Sequence, residues 1–358
     1  MLRRSLIALA CAMATGSALA QTSVTLYGVA DAYIEYTNHN LGTGPDGHSK
    51  VALNSGGMSP SRWGLRGAED LGSGKRAIFA LESGFGLDNG VSLQGGRLFG
   101  RQAWVGLAAE NQQITLGRQY TSLFLALANY VPAAYATLYE PVLAITGLSS
   151  RGDNMIKYRG VFGGLTTELH WSFGEQPGTM NGGAGYGAGL DYQAGKFGIS
   201  TSYDNINTAR SATASYTRTQ KAAVGLRYQI TSQLLAQAVY RYNKNDTPTV
   251  NTAARDDLWI IGVNYSPIQP VTLTAAFYYD NVKSQYTAAG NFNPTNPWQV
   301  TLIADYALSK RTDVYVATAF TKNAALNFEN LNGAAAAYQL APNEKNQFGA
   351  GIGMRHKF

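Results

Sequence analysis

Cysteine is all but missing from this chain. Of 358 residues only Cys11 carries a thiol, and it lies among the first twenty. Beyond them no disulfide framework, thiol nucleophile or thiolate metal site is available. Charge is scarce too: Asp, Glu, Lys and Arg make up 14% of the residues, against roughly 25% in an average globular chain. A soluble protein so poor in charge has trouble covering its surface. Nor is this a helical membrane protein, because the mean hydropathy lies slightly below zero and such a protein needs runs of ~20 apolar residues. Disorder is excluded by the aromatic content of 11% and the modest formal charge of +6. That charge is too mild to argue for a nucleic-acid partner.

Chemistry-bearing motifs are absent as well. There is no Walker-type loop and no H-E-x-x-H. The four histidines, His39, His48, His170 and His356, are scattered, so neither a metal nor a cofactor is expected. Gly42-Thr43-Gly44-Pro45-Asp46-Gly47 fits G-x-G-x-x-G, but Pro45 denies it the helix that a dinucleotide site requires. No nucleophile motif stands out, so the chain does not read as an enzyme. A Ser–His or Asp–His pair near His170 would be needed for a barrel enzyme.

What is present begins with an export signal. Arg3 and Arg4 precede the apolar run from Leu6 to Ala14, and Ala18-Leu19-Ala20 is an A-x-A site. Residues 1–20 are expected to be a signal peptide cleaved before Gln21, leaving 21–358 as one domain. That domain reads as a run of hairpins. Val271, Leu273, Ala275, Phe277 and Tyr279 alternate with Thr272, Thr274, Ala276, Tyr278 and Asp280, the signature of a two-faced strand. Trp298–Tyr306 and Gln347–Phe358 repeat the pattern, as do 23–37, 75–86, 197–205, 218–228, 233–243 and 312–322.

Short links such as 70–74, 109–112, 162–164, 194–196, 267–270 and 308–310 alternate with long polar ones: 38–58, 87–96, 174–183, 206–217, 244–255, 283–295 and 323–344. About 16 strands with tight turns at one end and long loops at the other make an outer-membrane barrel layout. A bilayer forces sheets to close, because every backbone N–H and C=O must be paired. One strand face meets lipid and the other water, which keeps hydropathy near zero while charges stay rare. Tyr36, Tyr240, Tyr242, Tyr265, Tyr278, Trp298 and Tyr306 sit near strand ends, as interface girdles do. The expected fold is all-β: a transmembrane 16-stranded antiparallel barrel.

Gln119–Tyr139 carries no charge over 21 residues, the length of a spanning helix. Yet it contains Pro132, which is costly in a helix interior, and it lies between the strands Gln113–Gln119 and Asn154–Val161. It is therefore expected to be a long loop folded into the lumen, with a short helix in Leu123–Tyr130.

Three segments resemble the trimeric general porins of Gram-negative outer membranes, β-proteobacterial branch. They are Val24–Asp31, Ser61–Gly72 and Arg101–Leu107, together with Gly117-Arg118-Gln119-Tyr120 and the terminal Phe358. The resemblance spans the whole mature chain. It implies a homotrimer in the outer membrane, in contact with lipid and lipopolysaccharide, each barrel a water-filled channel for ions and small hydrophilic solutes. Phe358 would be read by the barrel-assembly machinery. The third outer loop, matched to 120–153, would fold inward opposite an arginine ladder. By motif Arg62, Arg101 and Arg159 fall on that ladder and Arg118 beside it. Arg66 and Lys157 share the sequence phase of Arg62 and Arg159. The acidic Pro-Glu-Phe-Gly-Gly stretch of the enteric version of that loop is absent here, and the loop offers only Glu140, with Asp153 at its end. The implied function is passive diffusion with weak anion preference. The alternatives are a solute-specific channel, with Tyr130, Tyr135 and Tyr139 stacking on the solute, and a barrel enzyme.

Overall fold

The structure is a computed structural model that describes residues 23–147, 150–208, 216–247, 250, 252–287, 290–331 and 337–358. The expected signal peptide lies outside them. Every strand pairs antiparallel with its neighbours in one closed sheet. In chain order the strands are β1 (Ser23–Gly42), β2 (Gly44–Ser55), β3 (Arg62–Gly72), β4 (Lys75–Gly84), β5 (Gln102–Ala109), β6 (Gln112–Tyr120), β7 (Arg151–Phe162), β8 (Leu165–Ser172) and β9 (Gly185–Ala194). They continue as β10 (Phe197–Asn207), β11 (Arg218–Gln229), β12 (Leu234–Asp246), β13 (Ala254–Tyr265), β14 (Val271–Thr287), β15 (Gly290–Phe292), β16 (Trp298–Ala307), β17 (Thr312–Lys322) and β18 (Asn346–Lys357).

Two of these do not count as separate staves. β2 and β3 both pair with β1, over Ala32–Thr37 and Ser23–Val29 respectively, and form one interrupted stave. β15 only extends the end of β14. Sixteen staves remain, and β1 closes on β18 from Val29↔Lys357 to Thr37↔Gly349. Phe358 completes the seam. Its backbone exchanges hydrogen bonds of 3.0 and 3.1 Å with Gly28, and its ring lies where a Cβ on residue 28 would be.

The faces are inverted relative to a soluble sheet. Leu273 and Phe277 are exposed while Thr274, Tyr278 and Asp280 are buried. Val300 and Leu302 are exposed while Gln299 and Thr301 are fully buried. Val24, Leu26, Val105, Leu107, Leu226, Ile261 and Ile352 continue the exposed apolar face around the barrel. A continuous apolar exterior of this size exceeds what a water-soluble monomer carries. Tyr36, Tyr265 and Tyr306 are exposed on it, as girdle residues would be; Tyr278 is not, because its parity turns it inward.

Several long links are hydrogen-bonded hairpins rather than open loops. β1 and β2 stay paired to Gly42↔Gly44 through two register shifts. The polar residues there lack apolar alternation, so the sequence read them as loop. The β2–β3 interruption is organised by Asp31, whose carboxylate accepts the N–H groups of Gly57 and Ser59 at 3.0 and 2.8 Å and the Tyr315 hydroxyl.

The apolar core lies where the segment after β6 meets the inner wall. Two short helices, α1 (Ser122–Leu127) and α2 (Val142–Thr146), punctuate that segment. The α1 start is set by Thr121, whose side chain accepts the Phe124 N–H; the helix stops three residues short of Tyr130, and Pro132 follows. Leu123, Leu127, Tyr130, Val131 and Ile145 pack on Ala223, Val239, Leu258 and Ile260. Leu138 and Tyr139 pack with Ile303, Ala317 and Ala319. Each large side chain buried this way is worth about 1.5–3 kcal/mol. The wall makes room by dropping side chains: a Cβ on Gly225 would meet Tyr130 at 2.8 Å, and one on Gly262 would meet Pro132 at 2.4 Å.

A buried loop must also satisfy its backbone. Inward amides and hydroxyls do so. Gln237 donates to the Asn129 carbonyl at 3.1 Å, Asn264 to that of Pro132 at 3.0 Å, and Gln299 and Thr301 to that of Tyr139 at 2.8 and 2.7 Å.

Candidate functional site

On β3 to β8 the inward parity assembles a basic wall. Strand pairing sets Glu82 beside Gly64, Lys157 beside His170, and Arg159 beside Glu168. Arg101 stands just before β5. Arg118 lies where β6 and β7 lose register between Gly117 and Gln119.

Three carboxylates on this wall each serve two cations. Glu82 accepts the Arg101 Nε–H at 2.7 Å and lies 3.7 Å from Arg62 Nε. Glu168 lies 3.2 Å from Lys157 Nζ and 3.3 Å from Arg159 Nε. Asp153 pairs with Arg118 at 2.5 Å and with Arg97 at 2.9 Å. Tyr120 ties the group together: its hydroxyl accepts from Arg101 at 2.7 Å and Arg151 at 2.8 Å, its ring lies 4.3 Å beneath the Arg151 guanidinium, and its carbonyl accepts from Lys157 at 3.0 Å. Arg66 is exposed, 5.2 Å from the centre of the Tyr27 ring. Six cationic side chains thus share three carboxylates, and Arg66 and Arg151 lie beside them over the Tyr27 and Tyr120 rings.

Glu140 stands apart from them. It is 1% exposed and accepts the N–H groups of Ala133 and Tyr135 and the Tyr278 hydroxyl. Burial pushes its carboxyl up to about 7, against these three hydrogen bonds. It folds the segment rather than facing the cations. Between the segment and the wall runs an open cavity of about 740 Å³, lined by Arg62, Arg101, Arg151, Tyr120, Tyr135 and Thr137.

The residues singled out from sequence therefore divide. Arg62, Arg101, Arg118, Lys157, Arg159 and Asp153 form this paired network; Arg66 sits at its edge and Glu140 outside it. Sequence reasoning missed Arg97, Arg151, Tyr120 and Glu168. Glu168 has the parity of His170, so the phase argument reaches it; Arg151 lies beyond the register shift between β6 and β7, where phase does not carry. Arg97 lies in a turn with no periodicity to read.

Tyr130, Tyr135 and Tyr139 are buried, packed on Gly225, stacked on Phe124 and seated at Gly349 respectively. Ser122 and His170 do meet, with Oγ and Nδ1 at 2.8 Å, but the Ser122 N–H donates to the same nitrogen and both side chains are buried.

A family model described as Gram-negative porin matches residues 6–326. An outer membrane porin protein of Bordetella pertussis is 29% identical over 394 residues, covering 96% of both chains. Outer membrane porin protein 32 of Delftia acidovorans is 29% identical over 376 residues and the whole of both. Among solved structures, the anion-selective porin from Comamonas acidovorans matches with a TM-score of 0.77 at 24% identity, over 94% of this chain and 100% of that one, a likeness of fold. Matched by the family model over most of its length, the chain belongs to the Gram-negative porins, and it is an outer-membrane channel for passive diffusion.

Proposed function

We propose that the segment between β6 and β7 is the inward-folded third loop of the channel and that the pore prefers anions. One observation carries the reading: six cations on one wall share three carboxylates, and the only acid of the facing segment, Glu140, is buried. Of the nearby acids that could neutralise the arginines, Glu82 does pair with Arg62 and Arg101, while two others are engaged elsewhere. Asp31 holds the β2–β3 interruption. Glu35 accepts from Asn54 at 3.0 Å and Tyr338 at 2.7 Å. Arginine stays charged at any working pH, and a low-dielectric cleft lined by one sign of charge concentrates counter-ions. A difference of about 1.4 kcal/mol between chloride and potassium gives a tenfold partition ratio.

The test is planar-bilayer recording of the purified protein. Stepwise conductance is expected, with chloride passing more readily than potassium. The preference should shrink as salt rises from about 0.1 to 1 M, because the screening length falls from ~10 to ~3 Å. A preference indifferent to salt would contradict a fixed-charge origin. The burial of Tyr130, Tyr135 and Tyr139 favours this reading over a solute-specific channel with stacking rings. The enclosed Ser122–His170 contact serves as a loop anchor and gives no support to a barrel enzyme.

The same reading takes the protein as a homotrimer whose apolar exterior meets lipid and, on the outer leaflet, lipopolysaccharide. Phe358 serves as the signal to the assembly machinery. Light scattering in detergent should return the mass of three chains, and Phe358→Ala should lower the yield of assembled barrel severalfold.

A further inference from the structure

Beyond the arginine wall, on the wall formed by β10 to β14, lies a second polar cluster that the diffusion pathway does not explain. We propose that this wall carries a binding subsite for one protonated amine, formed by Asp204, Asp256 and Asp280 and entered from the lumen. It rests on the channel reading, since the ligand arrives through the pore.

Strand register builds the site. Asp204↔Lys221, Lys221↔Asn243 and Asn243↔Asp256 form one cross-strand row over β10 to β13. One inward step along, Arg241 and Asp280 flank Leu258. Asp256 is occupied: it pairs with the Arg241 guanidinium and accepts from Asn243 at 2.6 Å. Lys221 Nζ donates to Asn243 Oδ1 at 3.0 Å. Two carboxylate oxygens have no donor, Asp280 Oδ1 and Asp204 Oδ2, in side chains only 5% and 3% exposed. Both residues line a single cavity of about 230 Å³.

Charge and shape narrow the ligand class. Lys157 also acts on Asp204, so Lys157, Lys221 and Arg241 nearly balance the three carboxylates, which leaves room for a monocation at most. Among the described residues no group of three His, Cys, Asp or Glu is arranged to hold a metal ion. The cavity is also several times the ~30 Å³ share of one water. Ile206 and Val282 lie among its polar lining residues. An alkylammonium fits all of this, with N–H donors for the two vacant oxygens and an alkyl group for the apolar side chains.

The experiment is single-channel recording in KCl with n-butylammonium chloride added as probe. Wild-type conductance should fall saturably. Asp280→Asn and Asp204→Asn should each raise the half-blocking concentration about tenfold. Lys221→Met should lower it, by removing the competing cation, a sign that a purely structural role would not give. Asp70→Asn, in the β3–β4 turn region, should change nothing. A wild-type pore without saturable block, or block unaltered by all three wall variants, overturns the subsite while leaving the channel intact. Absence of conductance steps overturns the channel reading, and the subsite with it.

Discussion

The wall from β3 to β8 and the wall from β10 to β18 solve opposite problems. The first is crowded with long cations that share few carboxylates and border an open cavity. The second is paved with Gly225, Gly262, Gly349, Ala223, Ala317 and Ala319, and carries the buried segment 121–147 on that thin surface. Both use the same inward parity of the same kind of strand. Small residues make room for the segment on the second wall, beside the charged row of β10 to β14, while on the first wall the cations border open space. On the proposed reading the loop contributes obstruction, and the field comes from the wall it faces.

That division can be broken from either side. The largest effect should come from the charged wall: Arg62→Ala combined with Arg101→Ala should cut the chloride preference by up to about tenfold, ~1.4 kcal/mol, read from permeability ratios. Channel size should change little. Next comes the supporting wall. Gly262→Val places a methyl-bearing carbon where Pro132 already lies, and overpacking of this kind costs about 1–3 kcal/mol. The segment should undock part of the time, so open-channel noise and mean conductance rise while the sign of selectivity stays.

A smaller effect should follow pH. The Glu140 carboxyl titrates at about 7 in the folded protein, above the ~4.3 of an unperturbed glutamate. The native state then holds the proton more tightly than the unfolded chain. Docking is at full strength below the lower value and weakens as pH rises through the interval. Each unit is worth about 1.4 kcal/mol, so loop noise should grow between about pH 4.5 and 7 in the wild type and stay flat in Glu140→Gln.

How much of this was legible in the sequence follows the same division. Alternation in β14, β16 and β18 is strict because lipid on one side and water on the other enforce it, so the stave count and the closed sheet could be read directly. Arg62, Arg101 and Arg159 came from the resemblance, and Lys157 from sharing their phase. Above the apolar band the enforcement stops, and the β1–β2 hairpin ran on to Gly42 unseen. The aim of Glu140 was equally hidden, because it depends on where the backbone turns at Ala133 and Tyr135. The Tyr278 hydroxyl arrives there from a strand 138 residues away. Arg97 needed the turn at 93–97 to bring it to Asp153.

The most direct test of a fixed positive wall is the zero-current potential across a bilayer holding this protein between concentrated and dilute KCl. The account predicts that the dilute side becomes negative as chloride leads, and that Arg62→Ala with Arg101→Ala moves the potential toward zero. A dilute side that becomes positive in the wild type, with potassium leading, would contradict it.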